Sequence, residues 1–235
     1  MAAEESFGGA LVYACPSPAA LLLQPVGAQE QAGLEAQLAA IRAGSDVPFM
    51  FAGVPVRDWN GALSPWQAPP VFGSEGFGSG AAETLAGITE LLPRLRRQYD
   101  LPAELPVILG GYSLAGLFCL WSACQCDCFS GVMAASPSVW FPGWMDYAAA
   151  HKLQAQTVYL SLGDREARAK NPVLASVGDC IRRQAALLAA QPETESTLEW
   201  NEGNHFRDPE LRCVRGFAWC LNRITGDRKE WNTQA

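Results

Sequence analysis

Positive charge is scarce in this chain. Its 235 residues carry 17 Lys and Arg against 24 Asp and Glu, a formal net charge of −7. No Lys/Arg-rich stripe occurs anywhere, so nothing neutralises phosphates in bulk. That argues against nucleic acid and against an anionic membrane surface as partners. Charge of either sign is thin, at 17% of residues, while 49% are hydrophobic, which excludes a disordered chain. Glycine and proline have no period, so a collagen-like chain is excluded too. There is no G-x-G-x-x-G, and with it goes the dinucleotide-binding turn. The first nine residues hold Glu4 and Glu5 and no basic stretch leading into an apolar run. They do not read as a secretory signal, and the expectation is a cytoplasmic protein.

The eight cysteines, Cys15, Cys119, Cys124, Cys126, Cys128, Cys180, Cys213 and Cys220, are irregularly spaced. In such a chain they are expected as reduced thiols packed mostly in the core. Cys124, Cys126 and Cys128 form C-x-C-x-C rather than the C-x₂₋₄-C pairs of zinc sites, with no histidine nearby. No metal and no cofactor is expected. Residues 105–126 lack charge over about the length of a membrane span. Gly110-Gly111 breaks that run, so it reads as a buried strand followed by a buried helix.

Apolar runs at 10–14, 21–23, 48–54, 106–109, 131–135, 157–162 and 197–200 alternate with helical stretches at 29–42, 81–99, after Ser113, from Asn171-Pro172, and from Asp208-Pro209 to about Ile224. Pro93 falls inside the second helix and is expected to kink it. Strand and helix in alternation predict an α/β fold: a mostly parallel central sheet flanked by helices, as one domain over residues 1–235. No repeat and no linker divides the chain. The stretch from Ser136 to Gln156 is too short for a large lid domain.

In such sheets, ligands bind beyond the carboxyl ends of the strands. After Val107-Ile108-Leu109 comes Gly110-Gly111-Tyr112-Ser113-Leu114-Ala115-Gly116, a serine between a buried strand and a buried helix. A nucleophile on such a strained turn needs small neighbours, and Gly111 and Ala115 supply them. The following helix aims its positive end at a developing oxyanion. A serine also needs a base. Of the two histidines, His151 lies in a helix-like segment, and His205 follows the last apolar run. His205 is therefore the candidate. The base needs a carboxylate partner, and Gly163-Asp164-Arg165-Glu166 offers two, between which periodicity does not choose. The order nucleophile, acid, histidine is that of the α/β hydrolases.

Gly111-Tyr112-Ser113-Leu114-Ala115-Gly116, Ala135-Ser136-Pro137-Ser138-Val139-Trp140, Gly163-x-x-Glu166 and Gly203-Asn204-His205 resemble the esterase family of esterase D-like and enterochelin-esterase-like α/β hydrolases. The similarity covers roughly residues 20 to 225 and is densest from Ile108 to Trp140. The resemblance implies Glu166 rather than Asp164 as the acid. It also implies oxyanion-hole amides at Leu114 and at Val26, the residue after the Gln24-Pro25 that stands where the family has His-Gly. The expected activity is then a carboxylesterase acting through Ser113, His205 and Glu166 on a small or medium ester. Thioester cleavage or acyl transfer would use the same site. A non-catalytic binding protein on the same fold is the alternative from another class. Tyr112, Trp59, Trp66 and Trp140, all just beyond strand ends, are the expected pocket residues.

Overall fold

The computed structural model describes residues 6–71, 73–224 and 226. In chain order the elements are β1 (Ser6–Phe7), β2 (Ala10–Tyr13), β3 (Ala20–Val26), α1 (Ala28–Gly44), β4 (Phe49–Pro55), α2 (Trp59–Leu63), α3 (Ala81–Gln98), β5 (Val107–Tyr112), α4 (Leu114–Gln125) and β6 (Gly131–Ala135). Then come α5 (Trp144–Ala150), β7 (Thr157–Gly163), a 3₁₀ turn (Glu166–Arg168), α6 (Pro172–Ala175), α7 (Val177–Ala189), β8 (Glu195–Asn201) and α8 (Pro209–Ile224).

One eight-stranded sheet runs β1-β2-β4-β3-β5-β6-β7-β8. Only β1, β2 and β4 meet antiparallel; from β4 to β8 every pairing is parallel. The central strands are covered on both faces, which is why they read as unbroken apolar runs. On one face α1 and α8 pack Leu34, Leu38, Ile41, Phe217 and Leu221 against Leu22, Phe51, Met133 and Tyr159. On the other, α3, α4 and α7 pack Leu95, Leu117, Phe118 and Ile181 against Leu23, Leu109 and Leu160. Residues 114–123 of α4 are all buried. The uncharged stretch 105–126 is thus one strand and one helix inside the sandwich. No described helix is long and apolar enough to cross a membrane.

Chain direction across the sheet reverses at β3, which has β4 on one side and β5 on the other. The crevice beyond the carboxyl ends of β3 and β5 is where such a sheet binds ligands. The expected elements recur here, with boundary shifts of a few residues. Asn171 caps α6, its side chain accepting from Val173 N and Leu174 N at 2.9 and 3.4 Å, but the helix stops there and α7 restarts at Val177. α3 continues past Pro93 to Gln98. β1 and the short α2 and α5 carry too few residues for a periodic signal.

The expectation that every cysteine is a free thiol is corrected. Cys126 and Cys128 form a disulfide in the turn after α4, where their Cα atoms lie 5.5 Å apart, within bridging distance. The other six are free, and Cys119, Cys213 and Cys220 are buried. Among the described residues, no group of three or more His, Cys, Asp or Glu is placed to hold a metal.

Candidate active site

Ser113 stands at the turn from β5 into α4 with φ 56° and ψ −119°. That is a backbone conformation L residues avoid, and it holds only where the surroundings enforce it. Here they do. Ser113 N donates to Ala135 O at 3.0 Å, and Ser113 O accepts from Leu117 N and Ser138 N. A Cβ on Gly111 would lie 2.6 Å from the backbone of Ala115, so glycine is required for strand and helix to approach this closely. The Leu114 N–H, first in its helix, has no partner within the helix, as for any helix start. The positive end of α4 thus sits at the serine.

Beyond β8, the loop through Gly203 (φ 108°) carries His205 back over β5. His205 Nε2 is 3.0 Å from Ser113 Oγ, and His205 Nδ1 is 2.7 Å from Glu166 Oε2. Ser138 Oγ is a second neighbour of Ser113 Oγ, at 3.4 Å. Glu166 starts the 3₁₀ turn after β7 and is buried. Asp164, two residues earlier, is half-exposed and accepts from Gly203 N at 2.7 Å. The two carboxylates are thus placed differently. Glu166 faces the imidazole, while Asp164 ties the histidine's loop to the end of β7.

The other oxygen of Glu166 is fully occupied. Oε1 accepts from Gly163 N at 2.7 Å, Ser136 Oγ at 2.8 Å and Arg212 NH1 at 2.7 Å. Burial pushes the Glu166 pKa up. The hydrogen bond and charge of His205, the Gly163 amide and the Ser136 hydroxyl outweigh it and hold the carboxyl below its ordinary 4.5. Gly163 must lack a side chain here, since a Cβ would lie 2.5 Å from Gly203 O and 2.9 Å from Arg212 NH2. That crowding is the physical content of the Gly163-x-x-Glu166 spacing. Arg212, on α8, is only 1% exposed. Sequence reasoning missed it, because nothing in the pattern separates it from the exposed Arg207 just before α8 or from Arg215 on the same helix, which pairs with Glu199 at the surface.

Tyr112 lies beside His205, ring centroids 5.1 Å apart, and its hydroxyl donates to His205 O. Burial pushes its pKa up to about 12, so at neutral pH it remains a donor. Its hydroxyl is spent on the histidine loop rather than offered to a pocket. Trp59, at the start of α2, lies against Gly27, its ring 3.6 Å from where a Cβ would stand. Trp66 donates Nε1–H to Pro142 O at 2.8 Å and packs on Phe141 and Tyr147. Trp140 packs on Phe77 and Phe141. Trp66 and Trp140 thus build the loops beyond β4 and β6. Phe206, unremarked in the sequence, is 85% exposed and stands edge-on to His205. His151 is stacked on Tyr147, 3.8 Å between centroids, near the far end of α4 from Ser113.

Val26 is a correction. Its carbonyl accepts from Val56 N at 2.9 Å, so its peptide faces β4. The N–H and C=O of one strand residue point to the same side, and successive residues alternate. Leu21 N, donating to Pro106 O, fixes the odd residues of β3 as those facing β5. The Val26 amide is therefore turned away from Ser113. On the β5 side, Pro25 has no N–H, and the next odd residue is Gly27, still extended at φ −82°, ψ 177°.

No protein-family model and no curated protein matches the chain in sequence. Solved structures do match in shape. The siderophore hydrolase EstA from Aspergillus nidulans superposes with a TM-score of 0.72 at 18% identity, over 89% of this chain and 84% of that one. An IroE-like serine hydrolase from Shewanella oneidensis gives 0.71 at 15% identity, over 89% and 74%. FphF, a fluorophosphonate-binding serine hydrolase from Staphylococcus aureus, gives 0.60 at 13% identity, over 89% and 86%. At these identities the likeness is one of fold, and the fold is that of the α/β hydrolases, with no large lid.

Proposed function

We propose that this protein is a serine hydrolase that cleaves a small or medium carboxylic ester through an acyl-enzyme. The observation that carries this is the unbroken chain from Ser113 Oγ to His205 Nε2 at 3.0 Å and from His205 Nδ1 to Glu166 Oε2 at 2.7 Å, on a serine held at φ 56°. His205 takes the hydroxyl proton as Ser113 Oγ bonds to the ester carbonyl carbon, and Glu166 fixes the imidazole tautomer and faces the imidazolium that forms. The Leu114 amide is one donor to the oxyanion, and Gly27, the amide that strand alternation turns toward β5, is the second in place of Val26. His205 then gives its proton to the departing alcohol. Water, deprotonated by the same nitrogen, attacks the acyl-enzyme and releases the acid. The solved structures that share the fold include proteins described as a siderophore hydrolase and a fluorophosphonate-binding serine hydrolase, which supports this chemistry.

Fluorophosphonate labelling read by intact mass tests it. The wild type gains one adduct, Ser113→Ala gains none, and His205→Ala reacts slowly. A folded wild-type protein that gains no adduct rules the mechanism out and leaves a binding role on a hydrolase fold.

A further inference from the structure

Among the described residues, Arg212 is the one buried cation at the site, and several of its polar contacts meet there. Its NH1 donates its two hydrogens to Glu166 Oε1 at 2.7 Å and Ser136 Oγ at 2.7 Å, and shares one of them with Tyr112 OH at 3.3 Å. Its NH2 donates to Asn204 O at 2.9 Å. The direction of each bond is forced, because a guanidinium only donates. Ser136, accepting from Arg212, donates its own hydrogen bond to Glu166. Tyr112, accepting from Arg212, donates its own to His205 O. One guanidinium on α8 therefore orients the acid directly and through Ser136, and orients the histidine's backbone through Asn204 and Tyr112.

We propose that Arg212 is a positioning residue of the Ser113–His205–Glu166 arrangement. It claims the carboxylate oxygen that His205 does not use, holds residues 204–205 over β5, and offsets the Glu166 charge that faces the imidazole. The proposal rests on the hydrolase reading for its catalytic meaning but on geometry alone for its electrostatics. A carboxylate with no counter-cation would bind the imidazolium proton more tightly, because losing that proton would leave a bare buried anion. Arg212 makes the deprotonated pair neutral overall.

The other charged and titratable groups facing the pair act less. Asp164 and Arg165, after β7, lie within 3.9 Å of each other and are half-exposed. On the histidine loop, Glu202 pairs with Arg207 and Arg165, and Arg207 also meets Asp208. These are half-exposed or more and paired in solvent, two cations against three carboxylates, so water and salt screen what charge is left. Tyr112 on β5 and Cys213 on α8 are each pushed up to about 12 by burial, so both are uncharged at neutral pH.

The chain has only two histidines, so His205 can be followed by imidazole nitrogen NMR across a pH series, with a His151→Gln background for assignment. The same proteins are labelled with fluorophosphonate at each pH. In Arg212→Met, the protonation midpoint of the pair, and with it the acid limb of labelling, moves up by about one pH unit. In Arg212→Lys, which keeps the charge but not the planar fork, the midpoint stays and labelling slows by about tenfold. An unmoved midpoint in folded Arg212→Met overturns the proposal. If that variant does not fold, a midpoint that moves in Arg212→Lys overturns it instead. A wild type that titrates as described but never labels removes the hydrolase function and leaves the electrostatic role of Arg212 standing.

Discussion

Two regions flank the carboxyl ends of the central strands, and they are held together in different ways. The loops after β7 and β8, with α8 and the carboxyl tips of β5 and β6, are wired by hydrogen bonds: Glu166, Ser136, Arg212, Tyr112 and the His205 backbone are linked by contacts mostly of 2.7–2.9 Å. The loops after β4 and β6 are joined by rings. Phe141 stands edge-on to Phe77 and Trp66 at 5.1 and 5.9 Å, and Trp66 leans on Tyr147 at 5.3 Å. Trp66 Nε1 donates across to Pro142 O. Hydrogen bonds lose most of their energy over small displacements, whereas ring contacts tolerate a broad range of offsets. On the proposed hydrolase reading, the wired side places the reacting atoms and the aromatic side keeps a shape.

The largest effect that separates the two is on rate. Glu166→Gln removes the charge facing His205 and should lower kcat/KM on an activated ester such as p-nitrophenyl acetate by about 10³–10⁴. Asp164→Asn, two residues away, should cost no more than about tenfold, because that carboxylate only receives Gly203 N. Equal losses in both variants would sink the assignment of Glu166.

Stability should separate the regions in a different way. Arg212→Met leaves the Glu166 charge buried without its cation, at a cost of about 3–5 kcal/mol. Trp66→Ala removes a large half-buried ring and should cost about 3 kcal/mol. The first also changes reactivity, whereas the second should leave kcat within a few-fold. Urea midpoints set beside kcat values check this. A Trp66→Ala protein as stable as wild type but catalytically dead would reverse the roles assigned here.

The strength of the two kinds of signal also explains what the sequence could carry. The alternation of apolar runs with helical stretches reflects burial, which is periodic, so the parallel sheet and the position of Ser113 after β5 are legible in it. So is His205, since only two histidines exist and one follows the last strand. The choice of Glu166 over Asp164 came from the family resemblance and not from periodicity. It turns on a 3₁₀ turn that buries one carboxylate, and on an arginine 46 residues further along the chain. Val26 failed as an oxyanion donor because the direction of an N–H depends on which neighbour a strand residue bonds to, and no side-chain pattern encodes that. Trp59, Trp66 and Trp140 do follow strands β4 and β6, whereas Tyr112 is the last residue of β5 itself. Their contacts were not legible, since a Trp that lines a pocket and one that braces a loop look alike in sequence.

A subtler contrast lies in acid. Because the folded protein holds the Glu166 carboxyl below its ordinary 4.5, ionised Glu166 favours the folded state. That contribution is fully present above the unfolded-state value and is lost as pH falls through the lower, folded one. Wild-type stability should therefore fall as the pH drops below about 4.5, and Glu166→Gln should lose part of that slope. Trp66→Ala should behave differently. Its stability should be lower at every pH with the acid slope unchanged, since ring packing has no proton to exchange. Urea unfolding of the three proteins between pH 7 and 3 makes the comparison. A wild-type slope that survives intact in Glu166→Gln would mean that the hydrogen bonds around this carboxylate position it without stabilising its charge. The wired side would then be, like the aromatic side, a matter of shape.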